Sequence, residues 1–204
     1  MSHQFDPRYL LRIPFIYTSY QKLVGGYRAR RLFVENMVKI EPNQKILDIG
    51  CGPGDILDFL PNVNYLGIDV DNNYIENAIK KYRHRGSFIC SEITEFTLSE
   101  PESFDVVISS GVLHHLNDEA SIKLFELAYN ALKIDGRLIT YDGCYIANQN
   151  LISKMFLKLD RGKFVRTKKE YEKLAKSCFS NVNSIIEEDY FRIPYTSIGM
   201  ECKK

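Results

Sequence analysis

The sequence predicts an α/β fold: one domain over residues 1–204 built on a mostly parallel sheet with helices on both faces. Two observations carry this. Short apolar runs, KILDI, YLGIDV, SFIC, FDVVISS and RLITYD, read as strands, several covered on both sides, and segments of helical spacing stand between them. The stretch Lys45 to Gly54, KILDIGCGPG, then runs from such a strand into glycines at alternate positions, Gly50, Gly52 and Gly54. Without a Cβ the chain there can turn tightly and approach a ligand.

Composition narrows the class. An apolar share of 45%, a charged share of 26% and a formal charge of +1 describe a globular chain without a global pull toward nucleic acid or membrane. The five cysteines are scattered without metal-ligand spacing and read as free thiols. The first residues contain charges and prolines in place of a continuous apolar signal core, and no run approaches the roughly 18 apolar residues of a membrane span. The expectation is a cytoplasmic protein.

The glycine run is more than a turn candidate. Asp48 lies just before it in an apolar strand, where a carboxylate without a partner would be costly to bury. Asp69 ends the second strand, close to the spacing of about 20 residues at which an acid in a βαβ unit meets a ribose. Position 55 is aspartate, so the dinucleotide pattern G-x-G-x-x-G fails and the run is D-x-G-x-G-x-G from Asp48 to Gly54.

That pattern resembles the first motif of the class I S-adenosylmethionine (AdoMet) dependent methyltransferases, and the resemblance covers about residues 43–142. It implies a Rossmann-like, seven-stranded sheet in the order 3-2-1-4-5-7-6 that ends in an antiparallel hairpin, with AdoMet as co-substrate. It further implies that Asp48, Gly50, Gly52 and Gly54 accommodate the methionyl part. Asp69, with Val70 beside it, would hold the ribose hydroxyls, and Glu92, with Ile93, would receive the adenine amino group. Ser109 and Gly111, at the end of the fourth strand, complete the expected cofactor set.

In chain order, residues 1–42 form an expected N-terminal helical cap. Pro7 and Pro14 make its first part irregular despite Phe5, Tyr9, Leu10 and Leu11, and a helix over residues 18–39 is broken by Gly25 and Gly26. Arg28, Arg30 and Arg31 are either a solvated face or a source of one arginine for the AdoMet carboxylate or an anionic substrate. The AdoMet-binding core, residues 43–142, places a short helix at 55–60, a helix behind Asp71, and another capped by Asn117 and Asp118. GVLHHL, from Gly111 to Leu116, would lie at the carboxyl edge of the sheet, where such folds collect ligands. Adjacent side chains there point apart, and His115 is the expected pocket histidine and general base, with Asp142 as second candidate. No third ligand accompanies the two histidines at metal spacing, so no metal is expected.

Residues 143–176 form an insertion that shapes the acceptor site, with a helix through Leu151 and Leu159 and the segment DRGKFVR, Asp160 to Arg166. That segment resembles one in bacterial methyltransferases of polysaccharide assembly. Arg161 or Arg166 is expected to meet a negative group on the acceptor, the alternative being a loop ion pair of Asp160 with an arginine. Residues 177–204 supply the closing strands, with Tyr195 either a pocket residue or an ordinary packed one.

The implied function is methyl transfer to an oxygen or nitrogen of a small molecule, with a sugar or sugar-linked intermediate as one acceptor class and an anionic group on the acceptor as one option. The alternatives are an AdoMet-binding protein without chemistry and a methyltransferase of RNA or protein. The last would call for a basic strip interleaved with aromatics, which the near-neutral charge does not suggest. No nucleic-acid partner is expected.

Overall fold

A computed structural model describes residues 25–160 and 162–204. The irregular tail, the first of the two expected helical pieces and Arg161 lie outside the described residues.

Gly25, in the left-handed conformation at φ 85°, opens helix α1 (Gly26–Phe33), which continues as a π turn over Val34–Val38. Then follow β1 (Lys45–Ile49), a 3-10 turn (Asp55–Asp58), β2 (Asn64–Asp69), α2 (Asn72–Tyr82), β3 (Gly86–Cys90) and β4 (Phe104–Ser110). A second 3-10 turn (Leu113–His115) leads to α3 (Asp118–Ala131) and β5 (Leu132–Tyr145). The insertion contributes α4 (Leu151–Leu159), the two-residue β6 (Arg166–Thr167) and α5 (Lys168–Ala175), and β7 (Asn181–Glu187) with β8 (Ser197–Lys203) closes the chain.

The strands pair in the order β3-β2-β1-β4-β5-β8-β7, with β6 attached to β5. This is the predicted topology. The last two strands take higher numbers because the short β6 intervenes. Pairs from β3 to β5 are parallel, and β8 runs antiparallel to both β5 and β7.

The pleat divides the sheet's side chains between two cores. Leu47, Ile49, Val107, Leu138 and Cys144 face α3 and α5 through Leu124, Phe125, Tyr171 and Leu174. Ile46, Val106, Ile108, Ile139 and Tyr141 face α1 and α2 through Phe33, Ile75 and Tyr82. Both faces are therefore covered, which is why the strands read as continuous apolar runs. Caps fall where the sequence offers them: Asp71 accepts from Asn73 N at 2.9 Å, Asn117 from Ala120 N at 2.9 Å, and Thr167 forms a capping box with Glu170.

Among the described residues no helix is long and apolar enough to cross a membrane.

Candidate functional site

Parallel strands that start together end together, so the turns after β1, β2, β4 and β5 share one edge. The glycine loop is pinned there. Gly50 N and Cys51 N both donate to Ile68 O, at 2.8 and 3.0 Å. Gly50, at φ 75°, has Val112 Cγ2 only 2.3 Å from where a Cβ would stand, so the β4 loop packs directly on this backbone. Gly52, at φ 53°, has nothing within 4 Å of its Cβ position and faces open space. Gly54 shares the left-handed conformation.

Asp69 is preset by the same loop: Oδ2 accepts from Gly52 N at 2.8 Å and Oδ1 from Asp71 N at 2.9 Å. Each carboxylate oxygen keeps a further lone pair for a ligand hydroxyl. Val70 beside it is 64% exposed, an apolar surface at the strand's end. Glu92 is exposed in the loop after β3, while Ile93 is half-buried against the core. Asp48 is buried and accepts from Tyr65 Oη at 2.6 Å. Its burial pushes its carboxyl up to about 7, partly offset by that hydrogen bond and reinforced by the Asp69 charge. Ser109 is buried with its Oγ unpartnered among the described residues, and Gly111, at φ 74°, donates its N–H to Tyr141 O at 2.8 Å.

Of the three arginines on α1, Arg28 is committed to the carbonyls of Asp189, Tyr190 and Phe191, and Arg31 pairs with Glu35 on the exposed face. Arg30 is half-buried, and its charge favours ionised Asp48.

Beside the glycine loop lies a second constellation. Asp142, near the carboxyl end of β5, which runs to Tyr145, and 3% exposed, presents Oδ1 to His114 N at 3.2 Å and to His114 Nδ1 at 2.8 Å. The other face of that imidazole meets the insertion: His114 Nε2 stands 3.4 Å from Asp160 Oδ1. Tyr195 Oη donates to Asp160 Oδ2 at 3.1 Å. Burial alone disfavours the imidazolium, but hydrogen bonds and charge from Asp142 and Asp160 outweigh it and push His114 up to about 10. For Asp160 burial opposes ionisation, yet the His114 contact, the Gly162 N–H and Tyr195 hold its carboxyl well below the usual range. Asp142 Oδ2 is buried without a partner among the described residues.

Two expectations need correction. The inward histidine is His114, not His115. On the 3-10 turn Asp142 captures His114 through both its backbone and its ring, and His115 is exposed beside it, its ring 4.2 Å from that of His114. Arg166 does not present its guanidinium to an acceptor. It is 7% exposed, binds Asp118 Oδ1 through Nε and Nη2 at 3.1 and 2.7 Å, and donates to the carbonyls of Leu113, Leu116 and Phe164. It is a structural tie between the insertion and the β4 loop. The second end of DRGKFVR acts likewise, since a Cβ on Gly162 would lie 2.1 Å from His114 Cδ2. Asp160 escapes a reading of the sequence as a site residue because only the fold brings it to His114. The run of acid, glycine and arginine is its sole trace there.

Tyr195 lines a cleft of about 630 Å³ with Asn148, Ser153, Glu188, Asp189 and Arg192. Two acids, Glu188 and Asp189, and one arginine, Arg192, therefore line the same cleft.

The cofactor-side geometry fits AdoMet: a glycine cradle with open space at Gly52, an acid with spare lone pairs at Asp69, and an apolar surface at Val70. Comparison with known proteins points the same way. Residues 46–136 match the family described as "Methyltransferase domain". A phosphoethanolamine N-methyltransferase 1 of Triticum aestivum is 27% identical over 146 residues, which cover 69% of this chain and 29% of that protein. The chain thus spans under a third of that relative, and 25% of one from Arabidopsis thaliana. Among solved structures, a Haemonchus contortus phosphoethanolamine N-methyltransferase 2, in complex with phosphomonomethylethanolamine and S-adenosylhomocysteine, superposes with a TM-score of 0.74 at 16% identity. That match covers 100% of this chain and 60% of the other. An S-adenosylmethionine-dependent methyltransferase from Archaeoglobus fulgidus gives 0.75 at 17% identity, over 92% of this chain and 99% of the other. The strand order, the D-x-G-x-G-x-G loop and the family match agree: the chain has the class I methyltransferase fold and carries a methyltransferase domain over residues 46–136.

Proposed function

We propose that this protein transfers a methyl group from AdoMet to a nitrogen or oxygen of a small polar molecule held over the ends of β4 and β5. The observation that carries this reading is the juxtaposition, on one sheet edge, of the glycine cradle and Asp69 with the buried His114–Asp142 pair. Bound AdoMet supplies a sulfonium methyl open to in-line attack. The chain's own residues align and shield. The glycines and Asp48 shape the methionyl end, Asp69 and Val70 the ribose, Glu92 and Ile93 the adenine side, and Ser109 and Gly111 the boundary with the acceptor.

On the acceptor side His114 is held as an imidazolium at neutral pH, so it orients Asp142 and does not take up a proton. The unpartnered Asp142 Oδ2 is the atom that accepts a hydrogen bond from the acceptor's N–H or O–H. Alignment of the nucleophile and exclusion of water account for most of the rate in such a displacement. Tyr195 forms part of the wall, and the anion-binding role expected of Arg166 passes to Arg192 on the cleft.

The acceptor class favoured is an amine that also bears a phosphate or carboxylate, which the acids and Arg192 of the cleft match. The names of the plant and nematode relatives support it. Radiolabelled AdoMet offered with phosphoethanolamine, ethanolamine and a set of nucleotide sugars is expected to label the phosphorylated amine most strongly. Labelling of a sugar instead would move the assignment to oxygen. If no acceptor is labelled while calorimetry shows AdoMet bound, the reading as an AdoMet-binding protein without chemistry stands. Arg192→Gln is expected to raise KM for the acceptor and leave that for AdoMet unchanged.

A further inference from the structure

We propose that His114, His115 and Asp160 form a binding site for one divalent transition-metal ion of the zinc type. One ligand atom from each of the three lies within 4.8 Å of the others. The donor set, two imidazoles and a carboxylate, suits Zn²⁺ or Co²⁺ and is poor for Mg²⁺ or Ca²⁺, which prefer oxygen alone.

The spacing inside the cluster is informative. His114 Nε2 and Asp160 Oδ1 stand 3.4 Å apart. That distance also matches the roughly 3.4 Å between two atoms bound to one ion at about 2.1 Å in tetrahedral geometry. The surroundings are those of a supported site. Histidine ligands characteristically donate their second ring N–H to a carboxylate, and His114 Nδ1 lies 2.8 Å from Asp142 Oδ1. Asp160 is oriented in turn: Tyr195 Oη donates to its Oδ2 at 3.1 Å and Gly162 N to its Oδ1 at 2.9 Å. Gly162 allows this approach, because any side chain there would collide with the His114 ring.

His114 is buried while His115 is exposed, so the ion would enter from solvent on the His115 side. Coordination displaces the proton on His114 Nε2 to water. Three protein ligands leave a position open. Binding of the ion is independent of the methyl-transfer reading. Use of the open position to hold the acceptor's nitrogen or oxygen rests on that reading.

The experiment is titration of the chelator-stripped full chain with Zn²⁺ alone by calorimetry, and with Co²⁺ followed by its visible absorption. The expected result is one ion per chain. His115→Ala and Asp160→Asn should each weaken binding at least about tenfold, and Asp142→Asn, behind the ligating ring, by about ten- to a hundredfold. Cys90 is exposed and Cys178 half-buried, so the Cys90→Ser/Cys178→Ser double variant should bind as wild type. Absence of saturable binding, binding that survives His115→Ala, or binding lost with the two cysteines would each overturn the site. His115→Ala alters an exposed side chain, so it decides the matter even if the buried variants fail to fold. Methyl transfer with and without the ion is read separately, and its failure would not touch the binding result.

Discussion

The two halves of the sheet's ligand edge are built differently. On the side proposed for the cofactor the decisive contacts are local: Gly52 N reaches Asp69 over a separation of 17 residues, between two neighbouring parallel strands. On the acceptor side His114 meets Asp142 across 28 residues, and Arg166 meets Asp118 across 48. The first half is a motif that the backbone presents once a strand and a turn exist. The second is assembled only when β4, β5 and the insertion have docked, so its stability and its site are the same contacts.

The strongest way to break this comparison is His114→Ala. It leaves Asp142 as a buried carboxylate with no cation, a loss of about 3–5 kcal/mol by the usual cost of halving a buried pair. Denaturant unfolding should show that fall. Binding of S-adenosylhomocysteine to the folded fraction should barely change. A variant as stable as wild type would mean that the pair contributes nothing to the acceptor half.

Acidity separates the halves as well. His114 sits at about 10 in the fold against 6.5 unperturbed, so its contribution is fully present below about 6.5 and is lost as pH rises toward 10. Asp48 is raised from 3.8 to about 7, so its protonated form favours the fold below about 3.8, and that advantage disappears as pH climbs through 7. Unfolding midpoints measured across pH should therefore lose the upper slope in His114→Gln and the lower slope in Asp48→Asn. Both slopes vanishing in a single variant would show the two halves to be one coupled network.

On the side proposed for the cofactor, Asp69→Ala removes the charged acceptor proposed for the ribose hydroxyls. The expected loss is about 1.5–3 kcal/mol of AdoMet affinity, roughly ten- to a hundredfold, with little change in unfolding midpoint. Unaltered affinity by calorimetry would remove Asp69 from the site. The smallest effect is Thr167→Ala. Loss of the capping box at α5 should cost about 1 kcal/mol in stability and leave both ligand halves intact. A change in acceptor KM with this variant would show that α5 transmits to the insertion.

The glycine turn and its Asp69 partner, the half proposed for the cofactor, are legible in the amino-acid order because their requirements are backbone requirements. Gly50, Gly52 and Gly54 all adopt left-handed φ values that side chains disfavour, and Asp69 sits at the end of a strand whose length its apolar run defines. The caps at Asp71, Asn117 and Thr167 are legible for the same reason. His114 is not. A pair of adjacent histidines carries no mark of which one turns inward, and the choice depends on Asp142 near the end of another strand. Arg166 misleads in a similar way: a flexible glycine between arginines looks like an anion clamp, but the carbonyls of Leu113 and Leu116, with Asp118, claim the guanidinium first.

By itself, then, the amino-acid order determined the layered fold, the strand order implied by its family pattern, and the glycine turn beside Asp69, since apolar periodicity and glycine φ preferences act over a few residues. Tertiary structure alone decided the acceptor side. Which histidine is buried, that Asp160 joins it, and that Arg166 serves as a tie all follow from pairing free hydrogen-bonding groups in a dehydrated interior, where the partner that arrives is set by packing and not by distance along the chain.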